Sequence, residues 1–241
     1  MSVRAQTLND TGVDYVGHPH KGVKTVCRNN DTEGSEFYST SQDCSSGRDV
    51  YQNNEEDGLA GFSYKKLDIN GKILESDSPV WFCVQDTVSG LTWEVKQTEK
   101  GLHFYGDRFT WYDSNKKSNG GHIGSWNHKG KHCFGYTEGK PRTYCHTEQF
   151  VSRVNKQGLC GFNDWRLPSR EELTSLVNFG MTGPSIDTQY FPQVQRDFYW
   201  SASAAAGKNN QAWTISFEYG FTAPMLRTDT RFVRLVRAAE K

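Results

Sequence analysis

The stretch Asp164-Trp165-Arg166-Leu167-Pro168-Ser169-Arg170-Glu171-Glu172-Leu173 holds three local instructions in ten residues. Trp165 and Leu167 favour a short extended segment, and Pro168 stops it because proline cannot donate a ladder hydrogen bond. Ser169 with Glu172 three residues on is a capping box, which starts a helix carrying Leu173, Leu176 and Val177 on one face and ending near Gly180. A strand followed by an amphipathic helix needs apolar partners on both sides, and the flanking sequence supplies them. Upstream, Thr147 is placed to cap a helix with Phe150, Val151 and Val154 on one face, closed by Gly158. Further upstream Leu91, Trp93 and Val95 alternate with Thr92, Glu94 and Lys96, as in a half-buried strand. Downstream Trp213, Ile215, Phe217 and Tyr219 alternate with Thr214, Ser216 and Glu218 before Gly220. The run Phe232-Val233-Arg234-Leu235-Val236-Arg237 is apolar on both faces, the mark of a central strand.

The expected fold class is α+β, with antiparallel sheets and two helices. The domain spans 79–241 and follows a loop-rich N-terminal extension over 1–78. That extension is dense in Asn, Asp, Gly and Ser and shows little periodicity apart from the run from Gly61 to Leu67, which precedes an Asn70-Gly71 turn signal.

Several separated motifs occur in a fixed order: Trp81-Phe82-Cys83-Val84-Gln85-Asp86, Ser89-Gly90-Leu91-Thr92-Trp93-Glu94, the Trp165 stretch, Ile186-Asp187, Tyr190-Phe191-Pro192, Tyr199-Trp200-Ser201-Ala202-Ser203 and the terminal Phe232 run. In that order they resemble the Lcl C-terminal domain family, named after a Legionella collagen-like surface protein, over roughly residues 80 to 237. Leu8-Asn9-Asp10-Thr11-Gly12, Gly47-Arg48-Asp49 and the 61–68 segment resemble the leader of one subgroup. The resemblance implies a C-type-lectin-like fold on a secreted or surface protein associated with adhesion, with the terminal strand lying against the first. It implies no defined ligand.

Composition fits a loop-rich domain with an aromatic core. Of 241 residues 35% are hydrophobic and 13% aromatic, including seven Trp, and the mean hydropathy is −0.76. A chain of this length hides roughly 70 to 75% of its unfolded surface, enough for one large domain or two small ones. The tryptophans beside strand motifs, Trp93, Trp165, Trp200 and Trp213, read as core, whereas Trp111 and Trp126 lie in weaker patterns and read as exposed.

Cys27, Cys44, Cys83, Cys133, Cys145 and Cys160 form an even set without a Cys-x-x-Cys pair. This favours three structural disulfides and an oxidising compartment over a zinc site or a redox motif. Six cysteines allow 15 connectivities. Proximity favours Cys27 with Cys44 and Cys133 with Cys145, which leaves Cys83 for Cys160. No apolar run reaches the 18 or so residues of a membrane span, and the N-terminus lacks a hydrophobic signal core. A secreted or cell-surface location therefore implies a removed signal peptide, with Met1 an expression start.

The net charge is zero and the pI is about 7.0, which disfavours a nucleic-acid partner. Charge is nevertheless segregated. Residues 1–80 hold 8 basic and 13 acidic side chains, while residues 113–144 hold 6 and 2. The second segment carries Lys116, Lys117, Trp126, His128, Lys129, Lys131, Lys140 and Arg142, with Tyr136 among them. Flexible cations attract sulfates and carboxylates, and aromatic rings stack on sugar faces, so the pattern suits an anionic glycan. The plainer reading is a solvated loop. Segments 201–210 and 221–230 separate late strands and add Lys208 and Arg227, with Asn209, Asn210, Gln211 and Asp229, as candidate binding residues; ordinary hairpin loops are the plainer reading.

No metal or other cofactor is expected. His128, His132 and Cys133, like His18 and His20, lack a complete zinc ligand set. Neither Glu-Pro-Asn, Gln-Pro-Asp nor Trp-Asn-Asp, the marks of calcium-dependent lectins, occurs in the chain. Asp86, Glu94, Asp164 and Asp187 read instead as carboxylates paired with Arg166 or Arg234. The chain lacks a Gly-x-Ser-x-Gly elbow, a phosphate loop and a His-Glu-x-x-His helix, so an enzyme is not expected. The expected function is an adhesin-like binding module for an extracellular glycan or host-surface ligand. The alternative is a homo-oligomeric structural subunit of an extracellular filament or pilus-like assembly, in which the acidic extension docks on the basic loop of a neighbouring copy.

Overall fold

The computed structural model describes Thr11, the backbone of 15–17 and 24–26, and residues 56–59, 61–126 and 132–238. Most of the N-terminal extension, and with it Cys27, Cys44, His18 and His20, lies outside the described residues, as do His128, Lys129 and Lys131. Within the extension, β1 (Tyr15–Gly17) and β2 (Lys24–Val26) pair antiparallel.

The main sheet has the order β3-β4-β5-β9, all antiparallel. Its edge strand β3 (Tyr64–Leu67) falls inside the expected extension. It is nevertheless part of the sheet, because Tyr64 and Leu67 are buried in it and Lys66 packs its ammonium 3.8 Å from the centre of the Trp81 ring. Strands β4 (Cys83–Asp86) and β5 (Leu91–Glu94) form a hairpin. Asp86 closes its turn by accepting from the backbone of Val88 and Ser89 and from the Ser89 hydroxyl. Strand β9 (Val236–Ala238) adds to the far side of β5, so the end of the family segment joins its beginning.

The second sheet is β6 (Phe198–Ala204), β7 (Gln211–Ser216) and β8 (Thr222–Leu226) in consecutive antiparallel order. The edge strand β8 carries Pro224, which shields the edge from a further strand. Helix α1 (Thr147–Gln157) buries Phe150 and Val154 and ends at Gly158. Its N-cap is His146 rather than Thr147: the His146 Nδ1 accepts from the Gln149 backbone, while the Thr147 hydroxyl is buried in an exchange of hydrogen bonds with Tyr112. Helix α2 (Arg170–Thr174) starts with the expected capping box and is only five residues long. Ahead of it Trp165 is buried, and Arg166 exchanges two backbone hydrogen bonds with Val236. Among the described residues no helix is long and apolar enough to cross a membrane.

Two aromatic-rich cores form. One, around Trp93, Phe191, Tyr199, Ile215 and Phe217, lies against the inner face of the main sheet and α2. The other, around Phe109, Trp111, Phe150, Trp165 and Trp200, is built on α1. Two tryptophans differ from expectation. Trp111 is fully buried, because its indole N–H donates to Ser201 O and its ring meets Arg227. Trp213 is only half-buried and carries the Arg170 guanidinium 4.9 Å above its ring.

The Cys83–Cys160 and Cys133–Cys145 disulfides form as expected, and among the described residues no cysteine is free. The carboxylates find other partners than Arg166 and Arg234 side chains. Glu94 pairs with Lys96 and His103, each at 2.8 Å, while Arg234 donates to the Glu94 main-chain carbonyl. Asp164 pairs with Arg237 and Arg166 with Glu172. Asp187 accepts from the backbone of Leu59 and Gln189.

Candidate functional site

The candidate loops hang from one extended spine, residues 108–113. Arg108 N donates to His132 O, Phe109 exchanges two bonds with Arg231, and Thr110 N donates to Cys145 O. Trp111 N donates to Arg227 O, Ser125 N donates back to Trp111 O, and Asp113 N donates to Ile123 O. Successive residues of the spine therefore fasten segments that are far apart in the chain. The described parts of the basic 113–144 region are thereby joined to the late 201–230 loops.

Within that region the first turn is closed by Asp113. Its carboxylate accepts from Asn115 N at 2.8 Å and from the Ser118 hydroxyl at 2.6 Å. Glu148, in the first turn of α1, accepts from Ser114 N. Lys116 and Lys117 are exposed on this turn. The next limb is anchored from within. The Arg227 guanidinium, 1% exposed, donates to the carbonyls of Asn119, His122 and Gln211. Arg227 thus supports the loop from below instead of facing solvent, because backbone carbonyls from a distant segment surround it. Lys208 is exposed on the 205–211 turn, which the Arg227 backbone also ties through Asn210 O.

The second limb carries the aromatic side chains. Trp126, 49% exposed, lies 5.7 Å from Tyr144, and Tyr144 stacks on Tyr136 at 5.8 Å with a 27° tilt. Tyr144 itself is buried as the middle member of the row. Lys140 and Arg142 sit on the tight turn between Tyr136 and Tyr144, a single 3-10 turn over Pro141–Thr143 whose carbonyls and hydroxyls bond among Thr137, Lys140 and Thr143. Both cations are exposed. The row is held in place by the Cys133–Cys145 disulfide and by the Asp107 carboxylate, which accepts from Phe134 N at 2.8 Å. Burial pushes the Asp107 carboxyl up, against the lowering effect of that backbone donor. At the base of the row His146 packs on Tyr112 at 4.8 Å, and burial pulls its imidazole down to about 4, so it is neutral at pH 7 and free to accept as a cap.

Trp126, Lys140 and Arg142 from the sequence reading therefore share one structural unit. Lys116, Lys117 and Lys208 lie on neighbouring turns, and Arg227 lies beneath. Tyr144 was not among the candidates. Its position beside Cys145 was the available signal, since a disulfide fixes the backbone on which a neighbouring side chain stands.

A disulfide-bonded α+β domain with two antiparallel sheets and a loop surface fed by one spine is the class that these features define. The model of the Lcl C-terminal domain family matches residues 82–237, and the chain belongs to that family. No curated protein and no solved structure matches the chain.

Proposed function

We propose that this chain is a secreted or surface-displayed binding module of C-type-lectin-like build, recognising an anionic glycan through the Trp126–Tyr144–Tyr136 row and the cations beside it. The observation that carries this reading is the exposed Trp126 ring continuing into two stacked tyrosines, with Lys140 and Arg142 on the turn between them. A sugar ring lays its C–H face on an aromatic face, and sulfates or carboxylates on the polymer find the flanking cations. The joining of β9 to β5 supports the lectin-like comparison, and disulfides support an oxidising, extracellular setting.

The test is retention on immobilised heparin. Trp126→Ala and the double variant Lys140→Glu/Arg142→Glu should each elute at distinctly lower salt than the parent, with unchanged circular dichroism. Equal retention of all three would remove this site from consideration.

A second reading, a subunit of an extracellular filament, is favoured by one observation. Phe179, Tyr219 and Phe221 are exposed large apolar side chains at one end of the second sheet, where Tyr219 stacks on Phe221 and Phe198 meets Phe221 edge-on. Light scattering after size exclusion at low and high salt separates the readings, since the module reading expects a monomer or small closed oligomer and the filament reading a large assembly.

A further inference from the structure

A cavity of about 330 Å³ opens on the outer face of the main sheet, away from the aromatic row. Its floor is a polar line running across neighbouring strands in register. Gln85 on β4 faces Thr92 on β5, and Thr92 faces Arg237 on β9, while Lys65 on β3 stands opposite Gln85 at the edge, outside the lining. Further along, the same face carries Leu67 and Cys83, which belong to the second core; Leu67 also borders the cavity, so the polar line begins at the rim of that core. Two turns wall the cavity, one bringing Ile73 and the other Phe162. They press together so closely that both need glycine: a Cβ on Gly71 would lie 2.5 Å from Cys160 O, and one on Gly161 would lie 2.7 Å from Asn70 O. Cys160 in the second turn is bonded to Cys83 of the sheet, so the walls are fixed to the floor.

Gln85 and Thr92 line this cavity and make no side-chain hydrogen bond among the described residues. For Thr92, which is 2% exposed, a purely structural role would favour valine, the better-packing isostere for a buried strand position. Beside them the Arg237 guanidinium is held in one orientation, its Nε donating to Asp164 Oδ1 at 2.7 Å and its plane 3.7 Å from the Phe162 ring centre. Lys65, exposed on β3 opposite Gln85, adds a second cation beside Arg237 on this face of the sheet. The chemistry is that of a pocket with apolar walls, a hydroxyl, a carboxamide and a cationic rim.

We propose that this cavity binds a small hydroxylated carboxylate of the size of a hexuronic acid. The carboxylate lies toward Arg237 and Lys65, where the charge favours an anion. The ligand hydroxyls exchange hydrogen bonds with the Gln85 carboxamide, which both donates and accepts, and with the Thr92 hydroxyl. The ring lies between Phe162 and Ile73. This site is separate from the aromatic row and does not depend on the reading given to that row.

The test is a titration of the ¹⁵N-labelled full chain with sodium D-glucuronate, followed by amide chemical shifts, with D-glucose at equal concentration and ionic strength as the neutral control. Saturable shifts are expected at Ile73, Gln85, Thr92 and Arg237, with glucose binding at least about tenfold more weakly, the cost of about one lost charged interaction. Gln85→Leu and Thr92→Val should each abolish the saturable shifts, while Trp126→Ala should leave them unchanged. Gln85 is half-buried, so its variant decides the matter if Thr92→Val does not fold. Absence of saturation, equal response to glucose, or unaltered shifts in Gln85→Leu would each overturn the proposal. Loss of heparin retention in Trp126→Ala bears only on the aromatic row.

Discussion

The Arg227 guanidinium carbon lies 4.0 Å from the centre of the Trp111 ring, and both side chains are almost wholly buried. A cation stacked on an indole while its N–H groups reach carbonyls on two other segments is a fastening, and it joins the spine, the basic loop and the second sheet at one point.

Replacing Arg227 should therefore cost stability rather than surface charge alone. Arg227→Met keeps volume but leaves the carbonyls of Asn119, His122 and Gln211 without this donor, and the expected loss is on the order of 3 kcal/mol in urea unfolding. Arg227→Lys should recover only part, because an ammonium does not reproduce the planar fork. A loss below about 1 kcal/mol for the methionine variant would contradict the anchoring role.

His146 makes stability depend on pH in the mildly acid range. Its folded value, about 4, lies below the ordinary 6.5 because burial disfavours the charged ring. The unfolded chain thus binds the proton first. Stability from this group is complete above pH 6.5 and is lost as pH falls from about 6.5 to about 4, by up to about 3 kcal/mol. Protonation also removes the lone pair that caps α1. His146→Asn keeps a capping acceptor without the titration, so its unfolding midpoint should be flatter between pH 6.5 and 4.

Glu94 acts lower on the scale. Burial would raise its carboxyl, but Lys96 and His103 outweigh burial and hold it at about 2. A depressed carboxyl stabilises the fold above its unfolded value and loses that contribution as pH falls from about 4.5 to about 2, again by about 3 kcal/mol. Glu94→Gln should be destabilised at pH 7, since it strands the buried Lys96, and should show a flatter acid limb than the parent below pH 4.5.

The two described disulfides should differ in weight. Cys83 and Cys160 are 77 residues apart and Cys133 and Cys145 only 12. Loop-closure entropy then gives about 4.5 kcal/mol for the first and about 3 kcal/mol for the second. Paired Cys→Ala variants compared by denaturation should follow that order. The Cys133/Cys145 pair should lose heparin retention at the smaller stability cost, because it fixes the backbone under Tyr144.

Features encoded by near neighbours were legible in the chain. The Ser169–Glu172 capping box and the Trp165 core position depend on spacing alone, and both appear as read. Leu91, Trp93 and Val95 are buried as the alternation predicts, but Thr92, Glu94 and Lys96 are buried as well, so the strand is covered on both faces; Glu94 and Lys96 satisfy each other there, a pairing that an alternation pattern does not reveal. Trp111 and Trp213 exchanged roles because their burial is decided by Ser201, Arg227 and Arg170, which no local pattern brings near. Arg227 read as a surface cation for the same reason. The joining of Trp126 to Tyr144 depends on the hydrogen bonds of Thr110 to both Ser125 and Cys145, again a relation between distant segments.

The seam between β5 and β9 also sets an order of events during synthesis. Residues 91–93 are made early and wait through nearly the whole family segment for their partners at 236–238. Until those last residues have left the ribosome, β5 has an open side, and Arg166 lacks the strand to which it is bonded in the finished molecule. The nascent chain thus carries an unpaired strand edge while residues 94–235 are made, a state prone to wrong pairing.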